Sequence, residues 1–327
     1  MGIRDDQLDA TVIIPAYKRP DRLRRAIRSV LSQDMDPARY ELIVVDSTPG
    51  DANRWIEDDL RAEARCSFRF LHKDPEGPGP SRNLGAREAR GRILAFTDSD
   101  CVVSPSWLRA GVAAFENPAA GVAQGRTIPE TGVPHNAMCA YVWVEAENFI
   151  YETANIFYRR EAFEGAGGFP TASDLDRLSE RPVGGEDVTL AWRVKRAGWE
   201  SVFAPQALVM HEVVPLSLTR WMYEKRLFIF PRLVRDLPEL RRFFFLGHFY
   251  DRQQALLSIA IPGVLFGAIF PWALLLVLPY VLTRLLEPTN SLGGPLRPAR
   301  LALYAGRDVT TFAVLAWGSL RHRSVLL

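Results

Sequence analysis

The sequence has little of what marks several specialised classes of protein. Its 327 residues include three cysteines, Cys66, Cys101 and Cys139, which form no Cys-x-x-Cys pair and argue against a disulfide framework or a zinc ribbon. Neither sign of charge is in clear excess, because 40 Lys+Arg oppose 38 Asp+Glu, and this balance argues against a nucleic-acid binder. Residues 1–15 lack the apolar core of a signal peptide, so we expect no cleaved leader.

The near-neutral total hides two regions of opposite charge. Residues 1–215 carry 26 Lys+Arg and 32 Asp+Glu, a net charge of −6, whereas residues 216–327 carry 14 and 6, a net charge of +8. Such a change of sign along the chain indicates regions with different surroundings. We therefore expect an acidic first domain at 1–215 and a basic remainder.

The first region has the pattern of an α/β domain. Short β-branched runs predict three strands, at Thr11–Pro15, Glu41–Asp46 and Arg92–Thr97. Helical stretches lie between and after them, at Asp21–Gln33, Asp51–Arg65 and Ser81–Arg90. Strands that alternate with helices at this spacing predict an open, mainly parallel sheet flanked by helices.

The second region is apolar as well as basic. Residues 216–254 mix aromatic residues with arginine, which is typical of helices lying at a membrane interface. Ala255–Thr283 then runs for 29 residues without a charge, longer than a bilayer span needs. Because Pro262 and Pro271 interrupt this run, we predict that residues 255–327 form a membrane-associated helical hairpin turning near Pro271–Trp272, with a short surface helix at Val309–Leu320. The alternative is a buried core helix.

Basic residues flank the apolar run on both sides, which suits both of its ends facing the cytoplasm. Arg241, Arg242 and Arg252 precede it, and Arg284 and Arg307 are among those that follow it. A basic, apolar region would also hold an acidic domain against an anionic leaflet. We therefore predict membrane lipids as a partner and the cytoplasmic face of the cell membrane as the location.

Two carboxylates follow the third predicted strand, in the sequence RILAFTDSD. Ligands of an open α/β sheet bind outside the carboxyl ends of its strands, which places Asp98 and Asp100 at such a site. Paired carboxylates favour a divalent cation, Mg²⁺ or Mn²⁺, that bridges a diphosphate. His211 follows a later strand-like run and could complete the shell of the ion. A solvated loop tip is the alternative for the two carboxylates, and a packed polar residue for His211.

Other polar residues are predicted at the same edge of the sheet. Asp46 ends the second strand, where it could hold a base or a ribose hydroxyl or merely cap the following turn. Pro15-Ala16-Tyr17 closes the first strand at the same crevice. Ser81 is a plausible N-cap of the third helix, whose N-terminus would face phosphate. Arg82 would add positive charge there, or would be an ordinary surface charge.

A further pair of carboxylates opens a later amphipathic helix. Glu186 and Asp187 lie in its first turn, after Gly184-Gly185, which allows a close approach of the loop and leaves the carboxylates exposed. A carboxylate so placed can accept a proton from an incoming hydroxyl group. Acidic residues also favour helix N-termini for electrostatic reasons alone, so this pattern is compatible with a structural role.

These elements resemble, in this order, the family 2 glycosyltransferases with the GT-A fold, of the membrane-associated bacterial type. The resemblance covers roughly residues 10–212 and rests on TVIIPAYKRPDRLRRAIRSVLSQ, VVDST, GPSRNLGA, the DSD motif, TANIFYRREAFEGAGGF, GGEDVTLAWRVKRAG and the later histidine. It implies metal-dependent transfer of a sugar, with inversion, from a nucleotide-diphosphate donor to a hydroxyl group. The basic apolar region favours a lipid-linked or cell-envelope glycan as the acceptor.

The resemblance also implies roles for single residues. Asp187 is implied as the catalytic base, with Glu186 beside it. The implied metal ligands are Asp98, Asp100 and His211, and the implied acceptor contacts are Asn155 and Arg193. The implied contacts to the nucleotide-sugar are Pro15, Ala16, Tyr17, Asp46, Arg82, Asp98 and Ser99. The chain departs from the family at Asp46, where Asp-Ser-Thr-Pro replaces the usual Asp-Asp-Gly-Ser.

Two other functions are compatible with parts of this pattern. A nucleotidyltransferase also uses carboxylates, a metal and an α/β sheet, but the glycine-rich loop it needs after the first strand is replaced by Ala-Tyr-Lys-Arg-Pro. A non-catalytic, membrane-bound nucleotide-sugar binding protein could share the same fold. The acidic residues and His211 described above argue against it.

Overall fold

The computed structural model describes residues 8–171, 184–223, 225–286 and 297–327. They form two compact units, one from Met1–Val133 with Tyr141–Val213 and the other from Pro134–Ala140 with Val214–Leu327. The main division lies two residues before the boundary predicted at 215. The second unit also takes residues 134–140, because a strand there pairs with a strand that follows the division. The expectation of no signal peptide rests partly on residues 1–7, which lie outside the described residues.

The first unit is built on an eight-stranded sheet. Its strands are β1 (Ala10–Ala16), β2 (Tyr40–Asp46), β3 (Ser67–His72), β4 (Ile93–Thr97), β5 (Cys101–Val103), β6 (Ala120–Pro129), β8 (Asn155–Arg159) and β9 (Glu200–His211). Their order is β3-β2-β1-β4-β8-β6-β9-β5, and β3, β2, β1 and β4 are parallel neighbours. The mainly parallel α/β architecture is therefore confirmed, with antiparallel pairing at β8 and β5.

Helices cover this sheet and make its central strands fully buried. They are α1 (Pro20–Leu31), α2 (Trp55–Arg61), α3 (Pro78–Glu88), α4 (Trp107–Ala113), α5 (Arg160–Gly165) and α6 (Glu186–Arg196). Every residue of β1, β2 and β4 is buried, which is why these three strands read as continuous apolar runs. The prediction of Ser81 as an N-cap is wrong: α3 begins after Gly77, because Pro78 suits the first helical position.

The second unit is mainly helical. Its described residues form a two-stranded sheet of β7 (Cys139–Ala140) and β10 (Val214–Pro215), and the α-helices α7 (Leu218–Met222), α8 (Phe230–Asp236), α9 (Arg252–Gly267), α10 (Leu278–Leu286) and α11 (Arg297–His322). The short helix predicted at Val309–Leu320 is part of the much longer α11. The full length of α11 was not predicted, because a charged residue, Asp308, precedes the apolar stretch. In the structure Asp308 is nevertheless buried within the helix and forms an ion pair with Arg284 at 2.6 Å.

The uncharged run forms α9, a 3₁₀ helix at Pro271–Val277, and α10. The 3₁₀ helix packs back against α9, since a Cβ atom placed on Gly263 would lie 2.8 Å from the carbonyl oxygen of Ala273. Across the part of the chain that the structure describes, no helix has both the length and the apolar character needed to cross a membrane.

Candidate active site

The predicted site residues gather at one edge of the sheet because β1, β2 and β4 are parallel. Their carboxyl ends therefore lie side by side, which places Ala16, Asp46 and the turn after Thr97 at the same edge. Pro15 and Ala16 are buried within β1, whereas the ring of Tyr17 is 49% exposed. An aromatic surface is thus available beside the ends of the strands.

The turn after β1 holds an arginine that the sequence analysis did not identify. Lys18 and Arg19 both have positive φ, at 60° and 54°, a conformation that costs non-glycine residues roughly 1–2 kcal/mol each. The hydroxyl of Thr48 accepts a 2.6 Å hydrogen bond from the Lys18 amide and so helps to hold the turn. As a result, the guanidinium of Arg19 lies 3.9 Å from the carboxylate of Asp100. The sequence feature that could have identified Arg19 is its position as a basic residue shortly after the first predicted strand.

Asp46 has one occupied and one available oxygen. Its Oδ1 accepts hydrogen bonds from the amide of Thr48 at 3.1 Å, the hydroxyl of Thr48 at 2.7 Å and the side chain of Asn53 at 3.3 Å. Its Oδ2 is buried and receives no hydrogen bond from any described residue. The departure from the family's usual motif thus supplies Thr48, which fixes the carboxylate and leaves Oδ2 for a ligand.

Arg82 is the buried centre of the site. Its side chain is 5% exposed, so the interpretation of Arg82 as a surface charge is wrong. It donates a 2.6 Å hydrogen bond to Asp98, and its other terminal nitrogen lies 3.9 Å from the carboxylate of Glu186. Because α3 carries Arg82 between the end of β4 and the start of α6, one guanidinium links the two acidic pairs predicted from the sequence.

Asp187 has the environment of a general base. Its Oδ2 accepts hydrogen bonds from the amide and hydroxyl of Thr153, at 3.3 and 3.2 Å, and its Oδ1 is buried without a donor among the described residues. Burial, together with the neighbouring Glu186 carboxylate, raises the pKa of Asp187 to about 7. A carboxyl group with such a pKa can exchange a proton near neutral pH.

The expectation that these two carboxylates are exposed is wrong. Glu186 is 9% exposed, and buried oxygens of both Glu186 and Asp187 receive no hydrogen bond from the described residues. The first turn of α6 packs towards Arg82 rather than towards water, because the guanidinium provides a buried counter-charge. Buried polar atoms without partners are uncommon in proteins and mark a place where a ligand can bind.

A candidate metal site lies at the start of β5 and the end of β9. Cys101 pairs with His211 between these antiparallel strands, and Asp100, Cys101 and His211 have ligand atoms within 4.8 Å of one another. The Nδ1 of His211 lies 2.8 Å from the carbonyl oxygen of Glu212, which can only accept a hydrogen bond, so Nδ1 carries the proton. The other ring nitrogen, Nε2, lies 3.8 Å from the carboxylate of Asp100.

Two candidate ligands fit this site less well. Burial strongly raises the pKa of the Cys101 thiol, so its sulfur is neutral and a poor ligand for a hard cation. Asp98, predicted as a ligand beside Asp100, lies outside the group and is hydrogen-bonded to Arg82 instead. Ser99, between the two aspartates, is partly exposed in the same turn.

The two residues predicted to contact the acceptor do not join the site. Asn155 is 1% exposed, and its side chain is occupied by Trp107, which donates to it, and by the carbonyl oxygens of Arg126 and Ala207, all at 2.8 Å. It therefore ties strands together, and its burial keeps it out of reach of an acceptor. Arg193 is exposed, six residues after Asp187 on α6 and hence roughly 240° around the helix.

The sequence matches two family models. Residues 11–171 match the family described as Glycosyl transferase family 2, and residues 93–317, more than half of the chain, match Glycosyl transferase family group 2. Glycosyltransferase AglE of Haloferax volcanii is 25% identical over 215 residues, which cover 63% of this chain and 68% of the relative. The succinoglycan biosynthesis protein ExoM of Rhizobium meliloti is 28% identical over 239 residues, covering 68% and 73%.

Solved structures share the fold. Mannosyltransferase PcManGT from Pyrobaculum calidifontis, in complex with GDP-Man and Mn²⁺, aligns with a TM-score of 0.59 and 19% identity, covering 97% of this chain and 87% of its own. Residues 1–349 of TarS from Staphylococcus aureus, in complex with UDP-GlcNAc, align with a TM-score of 0.51 and 16% identity, covering 97% and 93%. At these identities the alignments establish a common architecture.

Proposed function

Since the chain belongs to glycosyl transferase family 2, and is a glycosyltransferase, we propose that it transfers a sugar from a nucleoside-diphosphate donor to a hydroxyl group, with inversion at the anomeric carbon. The observation that carries this proposal is the carboxylate of Asp187, with one oxygen fixed by Thr153 and the other, Oδ1, buried without a donor among the described residues. A non-catalytic sugar-binding protein would have no use for such a group.

The donor nucleotide is proposed to lie across the ends of β1 and β2. The buried Oδ2 of Asp46 can accept a hydrogen bond from an N–H of the base or from a ribose hydroxyl, and the exposed ring of Tyr17 can stack on the base. The structural relatives hold different nucleotides, GDP-Man in one and UDP-GlcNAc in the other. Both kinds of donor therefore belong in a binding test.

The residues present fit a divalent cation. Asp100 and His211 offer one oxygen and one nitrogen ligand, and the carbonyl of Glu212 holds the imidazole in the tautomer that a metal requires. A mixed set of this kind suits Mn²⁺ better than Mg²⁺, which takes oxygen ligands. When bound, the cation would stabilise negative charge on the diphosphate leaving group. Asp98 would act differently, by orienting Arg82.

The proposed reaction is a single displacement. The acceptor hydroxyl attacks the anomeric carbon from the face opposite the diphosphate and gives its proton to Oδ1 of Asp187, while Thr153 holds Oδ2 in place. One displacement inverts the anomeric centre, and it needs one base rather than the two flanking carboxylates of a glycoside hydrolase. The raised pKa allows Asp187 to receive the proton and to release it again near neutral pH.

A lipid-linked or cell-envelope glycan is the proposed acceptor, at the cytoplasmic face of the membrane. Support comes from the net charge of +8 over residues 216–327 and from their long uncharged run. One relative is named for succinoglycan biosynthesis, which concerns a polysaccharide. A soluble small-molecule acceptor would need neither the charge nor the apolar surface.

Thermal unfolding of the full chain tests the donor and the metal together. A panel of UDP-, GDP- and dTDP-sugars, each with MnCl₂ or with EDTA, should contain a donor that raises Tm clearly more with Mn²⁺, because ligand binding stabilises the folded state. His211→Ala should lose this Mn²⁺-dependent increment. The matched control is His248→Ala, an exposed histidine of the second unit whose Nδ1 also contacts a carbonyl oxygen. A panel in which no nucleotide-sugar raises Tm would contradict the proposal.

A further inference from the structure

A broad apolar surface covers part of the second unit. Within residues 255–286, which we call the apolar hairpin, thirteen large apolar side chains are at least 40% exposed. The most exposed of them are Val264, Leu265, Ile269, Trp272, Leu275 and Leu286. Soluble proteins rarely leave so many apolar side chains exposed over one short segment. Such a surface is typical of a site that binds another protein or a membrane.

The exposure is a property of a well-packed element. A Cβ atom on Gly267 would lie 2.5 Å from the side chain of Leu274, which shows how closely α9 and the 3₁₀ helix approach. Where α10 approaches α11, the buried carboxylate of Asp308 accepts hydrogen bonds from Tyr280 at 2.6 Å and from Arg284 at 2.6 and 2.8 Å. The inner face of the hairpin is thus fixed by packing and hydrogen bonds, while no other described residue covers the side chains of its outer face.

The chemistry of the hairpin favours lipid over protein as the partner. Protein interfaces surround an apolar centre with a polar rim that forms hydrogen bonds, but Ala255–Thr283 contains no charged residue at all. Arg252 is exposed at the start of α9, just before this run, and residues 216–327 as a whole carry a net charge of +8. An apolar surface within a cationic region is complementary to a leaflet that contains anionic lipids.

The length of the hairpin limits how deeply it can enter a bilayer. The sixteen residues of α9 extend for roughly 24 Å, whereas the hydrocarbon core of a bilayer is about 30 Å thick. The most exposed residues of α9 lie in its second half, towards the turn that precedes Trp272. We propose that the apolar hairpin inserts, turn first, into one leaflet of an anionic bilayer without crossing it. This inference goes beyond the transfer reaction and does not depend on it.

Co-sedimentation of the full chain with vesicles tests insertion directly. With vesicles of 70% phosphatidylcholine and 30% phosphatidylglycerol, a double variant Leu265→Asp/Leu275→Asp should reduce the partition coefficient by roughly tenfold or more. Both side chains are more than 60% exposed, so the variant should fold, and circular dichroism checks that it does. Trp55→Asp, at a 47% exposed position of the first unit, is the matched control and should bind as the parent does. Equal binding by the double variant and the control would overturn the proposal.

Depth is measured with a fluorophore at the hairpin. Because Cys66 and Cys101 are buried, a Cys139→Ser background allows selective labelling of Leu275→Cys. Lipids spin-labelled in the acyl chain should quench this fluorophore, whereas iodide trapped inside the vesicles should not. Quenching by the trapped iodide would show that the hairpin crosses the bilayer and would overturn the single-leaflet insertion. Concentration-dependent self-association without vesicle binding would identify a second copy of the chain as the partner and would equally overturn it.

Discussion

Replacing Arg82 with methionine tests whether one buried guanidinium organises the site. Methionine keeps much of the apolar volume of the side chain and removes its charge. Arg82 is hydrogen-bonded to Asp98 at 2.6 Å and lies 3.9 Å from Glu186. Its loss would leave the carboxylates around it, including that of Asp187, without their buried counter-charge.

The expected loss of stability follows from this geometry. Attraction between unit charges 3.9 Å apart is about 4 kcal/mol at an effective dielectric constant of about 20. Removing one partner of a buried ion pair typically costs about 3–5 kcal/mol, because the charge left behind is uncompensated. We therefore expect Arg82→Met to lower the free energy of unfolding of the first unit by about 3–5 kcal/mol.

The matched control is Arg109→Met. Arg109 lies 2.8 Å from Asp34, almost the same separation as the 2.6 Å between Arg82 and Asp98. Unlike Arg82, however, the side chains of Arg109 and Asp34 are 64% and 38% exposed. Exposed pairs contribute about 0–1 kcal/mol, so this variant should be nearly as stable as the parent in urea denaturation. Equal losses in the two variants would refute the role of Arg82 as a buried counter-charge.

Other predictions concern proton binding. Burial and then Glu186 raise the pKa of Asp187 to about 7, so Glu186→Gln should move the acid limb of the kcat/KM profile to lower pH. An unmoved limb would contradict this coupling. Burial alone would raise the pKa of Glu41, but hydrogen bonds from Arg90 and Thr11 lower it overall, so its contribution to stability is present above its unfolded pKa and is lost on acidification. Glu41→Gln should therefore cost about 1.5–3 kcal/mol at pH 7, and this difference should shrink below roughly pH 4, as urea denaturation at both pH values would show.

The central strands of the fold could be predicted from the sequence because strands that are buried along their whole length appear as continuous runs of apolar residues. β1, β2 and β4 are such runs, whereas β3, in the sequence SFRFLH, has only one buried side chain and was not predicted. Strands β6, β8 and β9 pair over long sequence separations, β6 with β8 antiparallel and β6 with β9 parallel, and no local pattern reveals such pairing. Of these three strands, only the end of β9 was recognised, as the strand-like run before His211. The part of the sheet edge formed by β1, β2 and β4 was thus predictable, and the pairing of the remaining strands was not.

Within the site, residue types were easier to predict than partners. The carboxylates were recognised from their positions after strands and in the first turn of α6. That Arg82 pairs with Asp98, and that His211 lies near Asp100 rather than near Asp98, depends on how α3 and β9 pack against β4 and β5. Asn155 shows the same limit, because a buried asparagine that ties strands together has the same local pattern as a ligand contact.

The central claim is that Asp187 is the base in transfer of a sugar from a nucleotide donor. The most direct test compares Asp187→Asn with the parent, using the donor found by thermal unfolding and measuring both the transfer rate and the donor Kd. The carbonyl oxygen of asparagine can accept the same two hydrogen bonds from Thr153, but the side chain cannot take up the proton. The rate should therefore fall by about 10²–10⁴-fold while the donor Kd stays close to that of the parent. Transfer by Asp187→Asn at the parental rate would contradict the account.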